Sequence, residues 1–207
     1  MKVLLLSGGI DSTALAWWQR PDVCVTINYG QLPAKGEIAA GRAIATEFRL
    51  RHELIEADLS SLGSGLLTGR NAAIHAKAPE WWPYRNQLLI TLAGMRFMSK
   101  GLTEIMIGAV ATDVHNDGHA PFLRTIDRLM SLQEGMVRVT SPAQKLSSLG
   151  LLQAANFPDE YLALTFSCHV HEFPCGQCRG CEKHRRTTSR YKKITKLAVS
   201  PSYLRFR

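Results

Sequence analysis

The chain has 207 residues, 45% of them hydrophobic, and carries 25 Lys and Arg against 17 Asp and Glu, a formal charge of +8. That length and apolar content predict one good core that needs no disulfide to fold, with at most a small appendage. No apolar run approaches the length of a membrane span, and the first strand carries one lysine in place of a secretory leader, so the expected setting is cytoplasmic with no membrane partner.

The charge is uneven. Nine Lys and Arg and no Asp or Glu fall between Lys183 and Arg207, which leaves the preceding 182 residues close to neutral. The basic tail suits an anionic partner such as RNA or an acidic protein surface, and it equally suits a solvated chain end or a subunit contact.

In chain order, residues 3–6 form an unbroken apolar run, as expected of a strand buried on both faces of a parallel sheet. Ser7, Gly8 and Gly9 then turn the chain, and a helix opens near Ser12 with its first N–H groups pointing back at the loop. Such an arrangement holds phosphate or pyrophosphate. A Walker loop is excluded, because no lysine follows the glycines. The competing reading of this loop is an ordinary strand-to-helix turn with a Ser/Asp cap.

Residues 23–27 are β-branched and predict a second parallel strand, with Cys24 as a small core residue, ending at Asn28-Tyr29-Gly30-Gln31. Ile38, Ala39, Ala43 and Ile44 recur at helical spacing and predict a helix over 35–48. A third strand over 51–56 carries His52 and Glu53, which place it toward an edge. Strand, helix, strand, helix, strand implies right-handed crossovers and a doubly wound α/β sheet with ligands at the carboxyl ends of its strands.

Residues 58–84 lose this regularity and predict a long loop of the kind used as a binding segment. Trp81 and Trp82 either stack on a heterocycle or plug the core, and packing is favoured. Asn86 stands in a capping position before a helix over 87–99, with Arg85 placed to grip a phosphate or carboxylate. A strand over 104–109 leads to Asp113 on the ligand side of the sheet. The histidines of His115-Asn116-Asp117-Gly118-His119 have no third ligand nearby and suit hydrogen bonding or substrate contact better than metal. A helix over 121–133, a short strand over 137–139 and a helix from Ser141 to about Asn156 follow, with Lys145 at the last helix start, either facing a phosphate or on the surface.

Four of the five cysteines, Cys168, Cys175, Cys178 and Cys181, fall within fourteen residues. In a reducing compartment this crowding argues for metal over disulfides. Two Cys-x₂-Cys steps around glycines favour a closed tetrahedral zinc site, with an iron–sulfur cluster as the competitor.

Ser7-Gly8-Gly9-Ile10-Asp11-Ser12 resembles the PP-loop of the N-type ATP pyrophosphatases. With Asn28-Tyr29-Gly30-Gln31, Pro83-Tyr84-Arg85-Asn86, the segment from Gly108 through Thr112 and Asp113, and the cysteine module, the chain resembles the 7-cyano-7-deazaguanine synthases in the same order along most of its length. It departs from that family in the segment after Asp113, in a shortened loop before Arg85, in the position of Lys145 and in its basic tail. The resemblance implies an ATP-dependent carbon–nitrogen ligase that adenylates the carboxylate of 7-carboxy-7-deazaguanine and converts it with ammonia to amide and nitrile. It implies ATP, Mg²⁺ and Zn²⁺, with Asp11, Asp113 and Arg85 catalytic. Ser7, Gly8, Gly9, Asp11, Ser12, Asn28, Tyr29, Gln31, Arg85, Asn86 and Lys145 would bind the nucleotide and substrate, and the four cysteines the zinc. The expected organisation is an ATP-binding domain over 1–164 and a zinc and basic segment over 165–207, in a homodimer. Two alternatives stay open: a relative that couples the adenylated deazaguanine to a protein or other amine, and a PP-loop enzyme acting on tRNA.

Overall fold

Parallel pairing runs through the whole sheet, a consequence of helical crossovers between short β-branched strands. The computed structural model describes residues 1–199. Strands β1 (Lys2–Leu5), β2 (Val23–Asn28), β3 (His52–Glu56), β4 (Glu104–Met106) and β5 (Arg138–Thr140) form one sheet in the order β3-β2-β1-β4-β5. Register pairs Val3 with Val23 and Ile105, and Ile105 with Val139. The strand order reverses between β1 and β4, so a crevice opens at the carboxyl end of β1, where the Ser7-Gly8-Gly9 loop lies.

Strand alternation feeds two half-cores. Leu4, Cys24 and Met106 point to one face and meet Leu15 of α1 (Ile10–Gln19), Ile44 of α2 (Ala34–Glu47), Leu151 of α5 (Ser148–Ala154) and Tyr191 of α6 (Arg179–Val199). Val3, Val25, Ile105 and Val139 point to the other and meet Ile90 and Phe97 of α3 (Arg85–Phe97) and Ile126 of α4 (Ala120–Ser131). Each fully buried Leu or Ile contributes about 1.5–3 kcal/mol, so both faces are needed for stability. Cys168 and Cys181 belong to the first half-core, so the cysteine segment packs against the sheet's own helices. The Tyr191 hydroxyl donates to the Phe157 carbonyl at 2.7 Å and seats α6.

Beyond Tyr191 the basic residues Lys192, Lys193 and Lys196 are exposed, as are Arg185, Arg186 and Arg190 before it. Residues 200–207, the end of the basic tail, lie outside the described residues. No helix among the described residues is long and apolar enough to cross a membrane.

The third helix and the late helix start elsewhere than expected, and the first opens at Ile10 rather than Ser12. The third helix begins at Arg85 with Tyr84, at a left-handed φ of 55°, in the capping position, so Asn86 is not the cap. Its side chain instead donates to the Asp117 carbonyl at 3.1 Å. The late helix begins at Ser148, capped by the Ser147 hydroxyl, which accepts from the Gly150 N–H at 3.0 Å. Residues 141–146 form turns, because Ala143 is fully buried and the Ala111 N–H donates to the Leu146 carbonyl, which ties this stretch to the segment after β4. Lys145 therefore lies exposed in a turn and not at a helix start.

Candidate active site

The loop after β1 is shaped by its glycines. Gly8 has a φ of 75°, and a Cβ there would come within 2.7 Å of the Ala40 Cβ, so α2 presses on the loop from behind. The Ser7 and Ser12 hydroxyls lie 3.2 Å apart, and those of Ser12 and Thr13 donate to the Gly9 carbonyl at 3.1 and 2.8 Å. The side chains thus close the loop on itself. The first-turn amides of α1 lack intrahelical acceptors and are left for an anion.

The loop forms one wall of a cavity of about 360 Å³ that Ser7, Gly9, Asp11, Ser12, Tyr29, Arg85, Asn86 and Asp113 all line. Sequence reasoning chose these eight, and the fold brings them together. Asp11 Oδ2 pairs with Lys183 Nζ at 3.0 Å, while its buried Oδ1 has no hydrogen-bond partner. The Asp113 Oδ2 accepts from the Val110 N–H at 3.0 Å; burial raises its pKa, Asp11 adds to the rise, and Lys183 and Arg85 oppose it. Two carboxylates thus face one lysine beside the turn that opens α1. An acidic oxygen buried without a donor is the feature that a divalent cation satisfies, and the donor set is oxygen, as Mg²⁺ requires.

Arg85 enters from the opposite wall. Burial works against its charge, but the Tyr29 hydroxyl, Asp117 and Glu37 around it hold its pKa above the ordinary arginine value. Burial likewise raises Tyr29 and lifts Glu37 to about 7. The Glu37 Oε2 accepts from the Gln31 Nε2 at 2.7 Å.

Four of the expected contacts are absent from this surface. Gln31 Oε1 accepts from the Tyr29 N–H at 2.8 Å, and Asn28 Oδ1 accepts from the Gly30 N–H at 3.2 Å. Neither side chain lines the cavity; both brace the turn that presents Tyr29. Gly8 acts from behind the loop, and Lys145 is outside the lining. Trp82 is buried edge-on against Tyr29, with ring centroids 4.8 Å apart, so it is a packing residue.

The cysteine segment closes the third side. The Phe166 N–H donates to the Gly8 carbonyl at 2.8 Å, and Ser167, His169, Arg179, Lys183 and His184 line the cavity beside Cys168. The four cysteine sulfurs lie within 4.8 Å of one another, with Cys175 and Cys181 3.9 Å apart. A tetrahedral zinc–sulfur shell with bonds of about 2.3 Å spaces its sulfurs by about 3.8 Å, so the four sulfurs crowd closely enough to converge on one metal ion. The His169 and Cys181 N–H groups donate to Cys178 Sγ at 3.4 and 3.5 Å. Amides of Gln177 and Cys178 bring Cys175 down to about 6, in the range where a thiolate forms readily.

Lys183, Glu37, Glu80 and Arg179 escaped sequence reasoning. The small residues Gly36, Ala40 and Gly41 on α2 are a signal that its face, and hence Glu37, presses on the loop. Lys183 and Arg179 carry no such signal, because only the folded knuckle turns them inward.

A parallel doubly wound sheet, a Ser-Gly-Gly-x-Asp-Ser loop at the switch point and a carboxylate pair beside it define a PP-loop α/β protein. Its nearer affiliation comes from comparison with known proteins. The chain belongs to the family of the queuosine biosynthesis protein QueC, whose family model matches residues 1–192. It is 30% identical over 209 residues to a 7-cyano-7-deazaguanine synthase of Anaeromyxobacter sp. (strain Fw109-5), covering 89% of each chain. A 7-cyano-7-deazaguanine synthase 1 of Sulfurisphaera tokodaii is 29% identical, covering 88% of this chain and 90% of its own. The synthase of Methanosarcina barkeri is 25% identical, covering 89% and 91%.

Proposed function

We propose that this chain is an ATP-dependent 7-cyano-7-deazaguanine synthase that adenylates the carboxylate of 7-carboxy-7-deazaguanine. The single observation that carries this reading is the cavity in which the Ser7 to Ser12 loop, Asp11 with its unpartnered Oδ1, Asp113 and Lys183 converge, in a chain of the QueC family.

The substrate carboxylate oxygen attacks the α-phosphate of ATP and pyrophosphate leaves. Ammonia displaces AMP from the acyl adenylate to give the amide; the amide oxygen is adenylated by a second ATP, and loss of AMP and protons leaves the nitrile. Each adenylation releases pyrophosphate and turns a poor oxygen leaving group into AMP, which the next step expels. The α1 amides and the Ser7 and Ser12 hydroxyls bind the leaving pyrophosphate, Lys183 and Arg85 offset the charge that develops on it, and Tyr29, Gln31 and Glu37 fix the wall opposite. Mg²⁺ held by Asp11 with Asp113 would neutralise the β- and γ-phosphates. Zinc in the four-cysteine site is structural, since four thiolates leave no open position.

Mass spectrometry of products after incubation with ATP, Mg²⁺, 7-carboxy-7-deazaguanine and ammonia tests this reading. A nitrile product with AMP and pyrophosphate is expected. AMP release without amide or nitrile would overturn it.

A further inference from the structure

One buried carboxylate in the cavity has no part in the phosphate chemistry. Glu80 is 6% exposed and lies on the cavity wall. Its Oε1 pairs with Arg179 Nη1 at 3.1 Å and faces His115 Nε2 at 3.6 Å, while its Oε2 is buried without any partner. Nearby, His115 Nδ1 and His169 Nδ1 are likewise buried and unpartnered. A buried polar atom without a partner is rare and costly in a folded chain, and three together mark a surface that a ligand completes.

The backbone holds Glu80 rigidly. The Leu66 N–H donates to the Pro79 carbonyl at 2.8 Å, and the Ser64 hydroxyl donates to the Trp81 carbonyl at 3.0 Å. Gly65 between them has a φ of 70°, and a Cβ there would run into the Pro79 carbonyl. Lys77 Nζ donates to Asn116 Oδ1 at 2.7 Å and fastens this irregular segment to the loop that carries His115. So much fixing of a loop residue is characteristic of a recognition group.

The shape of the unpartnered set decides what it takes. Among the described residues the four cysteines are the group of three or more His, Cys, Asp and Glu ligand atoms that crowds closely enough for an ion. Glu80 with His115 and His169 is more spread out and suits the edge of a planar molecule. The cavity has to admit two heterocycles, the adenine of ATP and the deazaguanine. A guanine-type ring offers two adjacent donors, N1–H and the 2-amino group, where adenine offers the N1 lone pair. A carboxylate accepts from the first and repels the second.

Resting on the function proposed above, we propose that Glu80 reads the N1–H and 2-amino edge of the deazaguanine through Oε2, and is the residue that sets base specificity. Arg179 and His115 keep the carboxylate ionised: burial alone would raise its pKa, but the hydrogen bond from His115, its own backbone amide, His169 and Arg179 bring it to about 2. It therefore acts as an acceptor throughout the working range.

The test compares KM values, read from AMP release, for 7-carboxy-7-deazaguanine and for the same molecule lacking its 2-amino group. In the wild-type protein the analogue's KM is expected to be higher by about 30-fold, the effect of one hydrogen bond to a charged group. In Glu80→Gln the KM for the natural substrate is expected to rise by a similar factor, the penalty against the analogue to shrink to about threefold or less, and the KM for ATP to stay within about twofold. A wild-type protein that accepts both heterocycles equally overturns the assignment even if the variant does not fold, and so does a variant that keeps full discrimination. No AMP from either heterocycle would overturn the proposed function as well, which separates the two failures.

Discussion

Asp11 and Lys183 lie 172 positions apart in sequence and 3.0 Å apart in the folded chain, so the pair exists only once the chain has folded. Asp11→Ala is expected to abolish pyrophosphate release, and Lys183→Met to reduce AMP formation by about 100-fold, since each removes charge placed for the transition state. Circular dichroism should show both variants folded, and near-normal turnover in either would contradict its role. Glu37 makes a different prediction. The unfolded chain ionises it near its ordinary value of 4.5, whereas burial lets the folded chain keep the proton to about 7. Unfolding therefore releases a proton in that window, so the stability this group contributes is full below 4.5 and is lost as pH rises through 7. The melting temperature of Glu37→Gln, relative to wild type, should rise between pH 4.5 and 7.5; a constant difference would refute the shift.

The strands and the first loop were readable from sequence because their chemistry is local: β-branched runs, two glycines, a serine on either side. His52 and Glu53 marked an edge, and β3 is one, with Glu53 ringed by Arg51, Arg96 and Lys100. The helix starts were less readable. Tyr84 takes a left-handed turn that a bulky side chain rarely adopts, and it moves the start of α3 forward of the expected Asn86 cap. The buried Ala143 holds residues 141–146 out of the helix, so Lys145 points to solvent while Ser147 takes the cap. The cysteine spacing announced a metal site, yet not the side chains it would aim. Arg179 and Lys183 face the cavity only because the knuckle turns the chain between Cys178 and Cys181. Cys178→Ser is expected to yield insoluble protein or protein without zinc, as structural zinc carries folding free energy. Elemental analysis finding iron in the wild-type protein and no zinc would refute the assignment.

At the scale of the whole chain, the cavity lining among the described residues ends at His184, and α6 continues with Arg185, Arg186, Arg190, Lys192, Lys193 and Lys196 exposed. Deletion of residues 200–207 should leave AMP formation within about tenfold of wild type, a change below about 1.4 kcal/mol; complete loss in soluble protein would place that segment in the site. The seating of Lys183 two residues after a cysteine ligand has a further consequence. If the knuckle's metal helps nucleotide to bind by holding Lys183 and Arg179 in place, thermodynamic linkage requires nucleotide to tighten the metal by the same factor. A chelator titration should then strip zinc less readily in the presence of ATP and Mg²⁺ than in their absence, with the shift weakened in Lys183→Met. An unchanged titration would mean that the knuckle holds its shape regardless of what fills the cavity. Protein engaged in turnover would thus be the protein best protected against zinc scarcity, and idle copies the first to lose their metal.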